Sequence, residues 1–189
     1  LLQKSRNPRR ADRIRFLQGR LELIKAMNTP GNLHDLYIDN AISQFRRNIS
    51  TSTNFLAENL FWLGYGYYNA GENQLRNAQS HLLESLRRGY GERIKIIKLL
   101  NNIYLKNRDF QVIIDLNQEF VKKRFFDAEI LLSLAQAYAG EGNTKKAEET
   151  LGLVTGMKEK PQERILRDSY LLFADLQYKD GRFRQAAGN

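Results

Sequence analysis

The residues with the clearest chemical potential in this 189-residue chain are few and scattered. His81 and Glu84 stand one helical turn apart, the spacing of two metal ligands on a helix, but no second histidine or carboxylate pair completes a set. The other histidine, His34, is remote in sequence. There is no cysteine, which removes both a thiolate metal site and a disulfide framework and fits cytoplasm and periplasm alike. Gly64, Gly66 and Gly71 do not have the spacing of a phosphate loop, and no Lys-Ser/Thr follows them. No nucleophile with a neighbouring base is visible. The expectation is a non-enzyme with no cofactor and no metal.

Two groups suit binding instead. The run Phe61-Trp62-Leu63-Gly64-Tyr65-Gly66-Tyr67-Tyr68 is too aromatic for one helix face to bury. With Leu60, Leu63 and Tyr67 turned inward, Phe61, Tyr65 and Tyr68 share another face. Aromatic side chains are good anchors because they offer large contact area at low entropic cost. The second group is basic. Residues 1–20 carry Lys4, Arg6, Arg9, Arg10, Arg13, Arg15 and Arg20 against one acid, Asp12, which accounts for +6 of the net +9. The other 169 residues hold 23 bases and 20 acids, only +3. A solenoid that binds nucleic acid spreads its bases along its length, so this distribution argues against that partner. The basic start suits phosphates, anionic lipid or an acidic protein, or simply a solvated helix face.

The elements that must position these groups are helices. The chain is 42% hydrophobic and 27% charged, the composition of a folded protein. No proline occurs between Gly31 and Lys160, which favours uninterrupted helices. No apolar run is long enough to span a bilayer. About ten helices are expected, in pairs. Ile14, Leu17, Leu21 and Ile24 recur at helical spacing in the first, over about 9–27. The second covers about 33–49, with Leu36, Ile42 and Phe45 as inward candidates. Further pairs are expected at 53–70 with 73–88, 92–106 with 109–122, 125–139 with 144–155, and from Pro161 to Tyr178 with a restart at Phe183 and Ala186.

One pattern recurs through these pairs: an apolar residue, a small or polar one, in three of the four copies a tyrosine four positions after the first, a turn, then an alanine or its stand-in. It runs Leu63, Gly64, Tyr67, Gly71, Ala78; Leu100, Asn101, Tyr104, Arg108, Phe110, Ile113; Leu134, Ala135, Tyr138, Gly142, Ala147, Leu151; and Phe173, Ala174, Gly181, Phe183, Ala186. One copy opens at Ile94 and the next at Ala128, an offset of 34. The steps from Ala57 to Ile94 and from Ala128 to Arg167 are 37 and 39, insertions that should bend or widen the array locally. Small residues let two helices approach, tyrosines fill the space between hairpins, and glycine supplies the tight turn.

These residues resemble the tetratricopeptide repeat, a stack of helical hairpins, from about Ala57 onward. The expected organisation is a basic start at 1–8, a degenerate hairpin at 9–50, and a repeat array at 51–189 (about 57–90, 94–124, 128–158 and 162–189). The resemblance implies an all-α fold, a right-handed superhelix of about five hairpins with the last one truncated. It implies a concave groove, lined by the first helix of each hairpin, that holds an extended peptide or a partner helix. Mapped onto this chain, the groove-facing set is Phe61, Trp62, Tyr65, Tyr68, Asn69, Lys95, Lys98, Asn102, Lys106, Leu132, Ser133, Gln136 and Leu171. Some members of the family grip a C-terminal carboxylate with lysine and asparagine in one repeat, asparagine in the next and two bases beyond. Lys98 and Asn102 match the opening pair, but Ser133, Asp168 and Leu172 stand at the remaining positions. The incomplete clamp argues against that ligand.

The functional expectation is therefore a protein-interaction scaffold. The alternatives are a self-assembling subunit that stacks through its C-terminal end, or attachment of the basic start to an anionic partner such as a membrane. The chain opens Leu1-Leu2 rather than on methionine and stops at Asn189 inside an expected helix, so it is expected to be a piece of a longer protein.

Overall fold

A computed structural model describes residues 8–51, 53–123 and 127–179. Among them are nine α-helices and no strand: α1 Pro8–Met27, α2 Asn32–Thr51, α3 Leu56–Asn69, α4 Leu75–Arg87, α5 Arg93–Asn107, α6 Phe110–Lys122, α7 Ala128–Gly140, α8 Thr144–Thr155 and α9 Glu163–Lys179. A short 3-10 turn, Glu72–Gln74, leads into α4. Helices adjacent in sequence pack in pairs. The expected restart at Phe183 and Ala186 lies outside the described residues. The chain divides into two compact units, Leu1–Leu99 and Leu100–Asn189.

In the first unit α1 packs on α2, α2 on α3 and α3 on α4. The core face of α1 is Phe16, Leu23 and Ala26. Gly19 sits so close to the Phe45 ring that a Cβ there would lie 2.8 Å from it, which is why the two helices can meet at this point. Phe16 and Phe45 meet edge to face at 6.1 Å. The row Ile14, Leu17, Leu21 and Ile24, which carries the helical signal in the sequence, faces outward. Leu36, expected inward, is 51% exposed, whereas Ile42 and Phe45 are buried. Helix α3 starts at Leu56 rather than near Thr53, because Phe55 adopts a left-handed backbone (φ 55°) that interrupts the helix. Leu60, Leu63 and Tyr67 are buried as expected. Gly64 faces Leu82, where an added Cβ would stand 2.8 Å from the Leu82 side chain.

In the second unit α7 packs against α6, α8 and α9. Leu131, Leu132, Ala135, Ala147, Leu151, Val154, Ile165 and Leu176 form one core. Asp127 caps α7 by accepting from the amides of Glu129 and Ile130, and Asn143 caps α8 by accepting from that of Lys146. The turn between α7 and α8 uses Gly142 at φ 75°. The corresponding turn before α6 uses Arg108 at φ 60°, a left-handed residue that is not glycine.

Candidate functional site

The aromatic run of α3 divides on folding. Phe61 is buried rather than presented as an anchor: its ring meets Trp62 at 5.2 Å, Tyr65 at 6.2 Å and Tyr90 at 5.0 Å. Trp62 is half-buried, stands perpendicular to Tyr65 at 5.8 Å, and is covered by the Arg20 guanidinium of α1 at 4.6 Å from the ring centre. Its indole N–H is buried beside the Tyr90 phenol without closing a hydrogen bond to it. Burial raises the pKa of Tyr90, with Glu58 and Glu92 adding to the effect. Phe61 and Trp62 thus join α3 to its own surroundings. Tyr65 and Tyr68 stay half-exposed beside them. Asn69 donates to the Tyr65 carbonyl at 2.7 Å, which holds its amide along the helix.

The remaining predicted residues are placed as follows. Lys95 is exposed and pairs with Glu92 at 2.9 Å. Lys98 and Asn102 are half-buried, and Lys106 is exposed. Leu132 belongs to the core of the second unit and is therefore unavailable to a partner, because α7 is packed on several sides. Ser133 is buried and donates to the Glu129 carbonyl at 2.9 Å. Gln136 is half-buried and Leu171 is 64% exposed.

The basic group is also redistributed. Lys4 and Arg6 lie outside the described residues. Arg9 and Arg10 are exposed. Arg13 pairs with Glu58 at 3.5 Å and lies over Phe16 and Phe55. Arg15 belongs to a polar network that ties three helices together. It pairs with buried Asp12 and donates to Asn48 and Thr51, each at 3.3 Å. Asn48 donates to the Asp12 carbonyl at 3.1 Å and to Asn59 at 2.9 Å, and Asn54 donates to the Asp12 carboxylate at 3.1 Å. Arg13, Arg15 and Arg20 are therefore tied into the first unit, and the single acid of residues 1–20 sits inside it.

Two clefts occupy equivalent places in the repeat. One of about 720 Å³ lies among α2, α3 and α4, with Asp39, Arg46, Tyr67, Asn77 and His81 on its walls. His81 stacks on Tyr67 with ring centres 5.5 Å apart and planes 9° from parallel. Loss of solvent, and then the Arg46 charge, lower its pKa. The other, about 430 Å³, lies among α6, α7 and α8, with Leu134, Tyr138, Lys146 and Glu149. Leu134 and Tyr138 hold the repeat positions of Leu63 and Tyr67, which line the first cleft. The groove-facing assignment selected none of the residues on either wall except by neighbourhood. The signal was present in the sequence as the repeated tyrosine, which lines a cleft as well as filling space.

Among the described residues there is no group of three or more potential metal-ligating side chains, and no helix is long and apolar enough to cross a membrane. The arrangement offers aromatic faces, amides and cations, which suit recognition. Comparison with known proteins gives no matching family model, no matching curated protein and no matching solved structure. The class the fold defines is an all-helical protein of paired helices.

Proposed function

We propose that this chain is a non-catalytic protein-interaction scaffold, a tetratricopeptide-like right-handed array whose first helices receive an extended peptide or a partner helix. The observation that carries the reading is equivalence of roles at equivalent positions. Gly64 against Leu82, and Ala135 in one core with Leu151, are the same pair of repeat positions, and both hairpins turn through a glycine of positive φ, Gly71 and Gly142. Hairpins built from the same parts at the same positions support a stacked repeat, and such arrays present extended binding surfaces. In the first unit the face offered to a partner comprises Tyr65, Tyr68 and Lys95, with Phe61 as its floor.

The test is affinity capture with the full chain and with the double variant Tyr68→Ala/Lys95→Glu, quantified by mass spectrometry and accompanied by thermal melts. A protein retained by the parent and lost from an equally folded variant supports the reading. Identical capture profiles count against it. A second reading, self-assembly through α9, is favoured by the exposed Tyr170, Leu171 and Tyr178. Strictly monomeric elution across protein concentrations removes it.

A further inference from the structure

Helix α1 is apolar on two sides. Its inner side, Phe16, Leu23 and Ala26, is closed into the first unit. Its outer side carries Ile14, Leu17, Leu21, Ile24 and Met27, each between 48% and 54% exposed. These five follow at steps of three, four, three and three, so they form one ridge about 20 Å long at 1.5 Å per residue. The exposed polar residues from Arg9 to Leu21 are Arg9, Arg10, Arg13 and Gln18, and none is acidic. The one carboxylate of that stretch, Asp12, is only 2% exposed and is held by Arg15 and Asn54. Further along, Glu22 is half-buried and pairs with Lys25 at 2.7 Å, so the outer side of α1 shows an aliphatic ridge with its excess positive charge toward the start of the helix.

We propose that α1 seats the protein on an anionic lipid surface. Ile14, Leu17, Leu21 and Ile24 enter the boundary between headgroups and acyl chains, and the positive start of the helix, with Arg10 exposed, meets the negative headgroups. Charge favours this occupant. Helix α1 carries six bases (Arg9, Arg10, Arg13, Arg15, Arg20 and Lys25) against two acids, Asp12 and Glu22, each paired within the helix, and parallel pairing with a second copy would bring the arginine-rich ends together. The side chains of Ile14, Leu17, Leu21 and Ile24 carry no hydrogen-bonding group that would set register against a protein partner, and a lipid boundary needs none: it accepts the apolar face of a helix to a depth of about 5–10 Å. Helix α1 need not span the bilayer, since an interfacial helix lies along the surface.

The experiment is co-sedimentation of the full chain with vesicles of phosphatidylcholine alone and with about 30% phosphatidylserine, at low and high salt. The expected result is binding to the anionic vesicles that weakens with salt. Leu17→Gln/Leu21→Gln should lower the partition coefficient roughly a hundredfold, about tenfold for each half-exposed leucine. The melting curve should be unchanged, because both side chains point away from the core. The absence of cysteine permits a second reading of the same contact. An environment-sensitive dye on Leu21→Cys should shift to the blue with anionic vesicles, and one on Ser80→Cys of α4 should not. Failure of the parent to bind anionic vesicles, or full binding by the double glutamine variant, overturns the proposal. A dye shift at position 21 that grows with protein concentration in the absence of lipid assigns the ridge to a second copy and also overturns it.

Discussion

Asn101 and Asn117 exchange side-chain hydrogen bonds, 2.9 Å in one direction and 3.3 Å in the other, and neither is exposed to solvent. Asn117 also donates to the Ile113 carbonyl at 2.7 Å. The two residues occupy the repeat positions that hold Gly64 and Leu82 in the hairpin α3–α4, and Ala135 and Leu151 in α7–α8. An apolar contact of small against large is thus replaced, on both sides at once, by a pair of amides that satisfy each other. Buried amides are tolerated only when paired, so the two positions depend on one another.

That dependence predicts a cycle. Asn101→Ala leaves the Asn117 amide short of a partner and should cost about 1–3 kcal/mol in urea unfolding, as should Asn117→Leu alone. The double variant rebuilds the alanine–leucine pair of α7–α8 and should recover most of the loss. Two costs that simply add would show that the amides act separately.

A second prediction concerns the turn between α5 and α6. The amide of Asp109 donates to the Tyr104 carbonyl at 2.9 Å, and that of Asn143 donates to the Tyr138 carbonyl at 2.8 Å, so the two helices end alike. The left-handed residue inside the first turn is Arg108 at φ 60°, and inside the second it is Gly142 at φ 75°. An L-residue there costs about 1–2 kcal/mol, and glycine returns about 0.5–1 kcal/mol of that through its freer unfolded chain. Arg108→Gly should therefore stabilise the protein by up to about 1 kcal/mol, and Arg108→Val should destabilise it. Denaturant midpoints of the two variants move in opposite directions if the turn is as described.

The hairpins were legible because the repeated tyrosine, the small residue before it and the turn after it stand at a nearly fixed offset. Helix α8 falls at the expected residues 144–155. The orientation of α1 was not legible. Ile14, Leu17, Leu21 and Ile24 have helical spacing, and so do Phe16, Leu23 and Ala26. Periodicity identifies a helix with two apolar rows without saying which row goes inside. The choice rests on Gly19, whose missing side chain admits the Phe45 ring, and on Asp12, which reaches Asn54 forty-two residues away. The aromatic site was legible in part. Phe61, Trp62 and Tyr65 do cluster. Arg20 and Tyr90 complete the cluster from distant parts of the chain, and no local pattern announces them. Leu132 misled because α7 packs against three helices and so buries nearly all of its circumference.

The stacking of Arg20 on Trp62 gives a third prediction, and it has a built-in reporter, since Trp62 is the only tryptophan. A guanidinium over an indole contributes about 0.5–2 kcal/mol, more as water is excluded. Arg20→Ala should destabilise the first unit by an amount in that range and shift Trp62 emission to the red as water reaches the ring. Arg20→Lys keeps the charge but loses the planar contact, so it should recover only part of both effects. Unchanged emission in Arg20→Ala would mean that α1 does not cover the indole.

The cleft among α2, α3 and α4 gives the fourth, through its histidine. His81 lies flat on Tyr67, and burial and Arg46 both disfavour its protonated form, so its folded pKa lies below the ordinary 6.5. Above pH 6.5 the imidazole is neutral in both folded and unfolded chains, and stability carries no penalty from it. As pH falls through 6.5 the unfolded chain takes up the proton first, so the folded state loses stability. The loss continues until the pH passes the folded pKa, where the folded chain also becomes protonated and the difference levels off. His81→Gln removes this response, so the stability of the parent relative to the variant should decline as the pH is lowered from 7.5 to about 5. Taking the difference cancels the carboxylates, which titrate alike in both proteins. Arg46→Gln should make the decline shallower, because one of the two forces that lower the pKa is gone. Guanidinium midpoints measured across that range provide the check, and parallel curves for parent and His81→Gln would place the imidazole in water rather than against Tyr67.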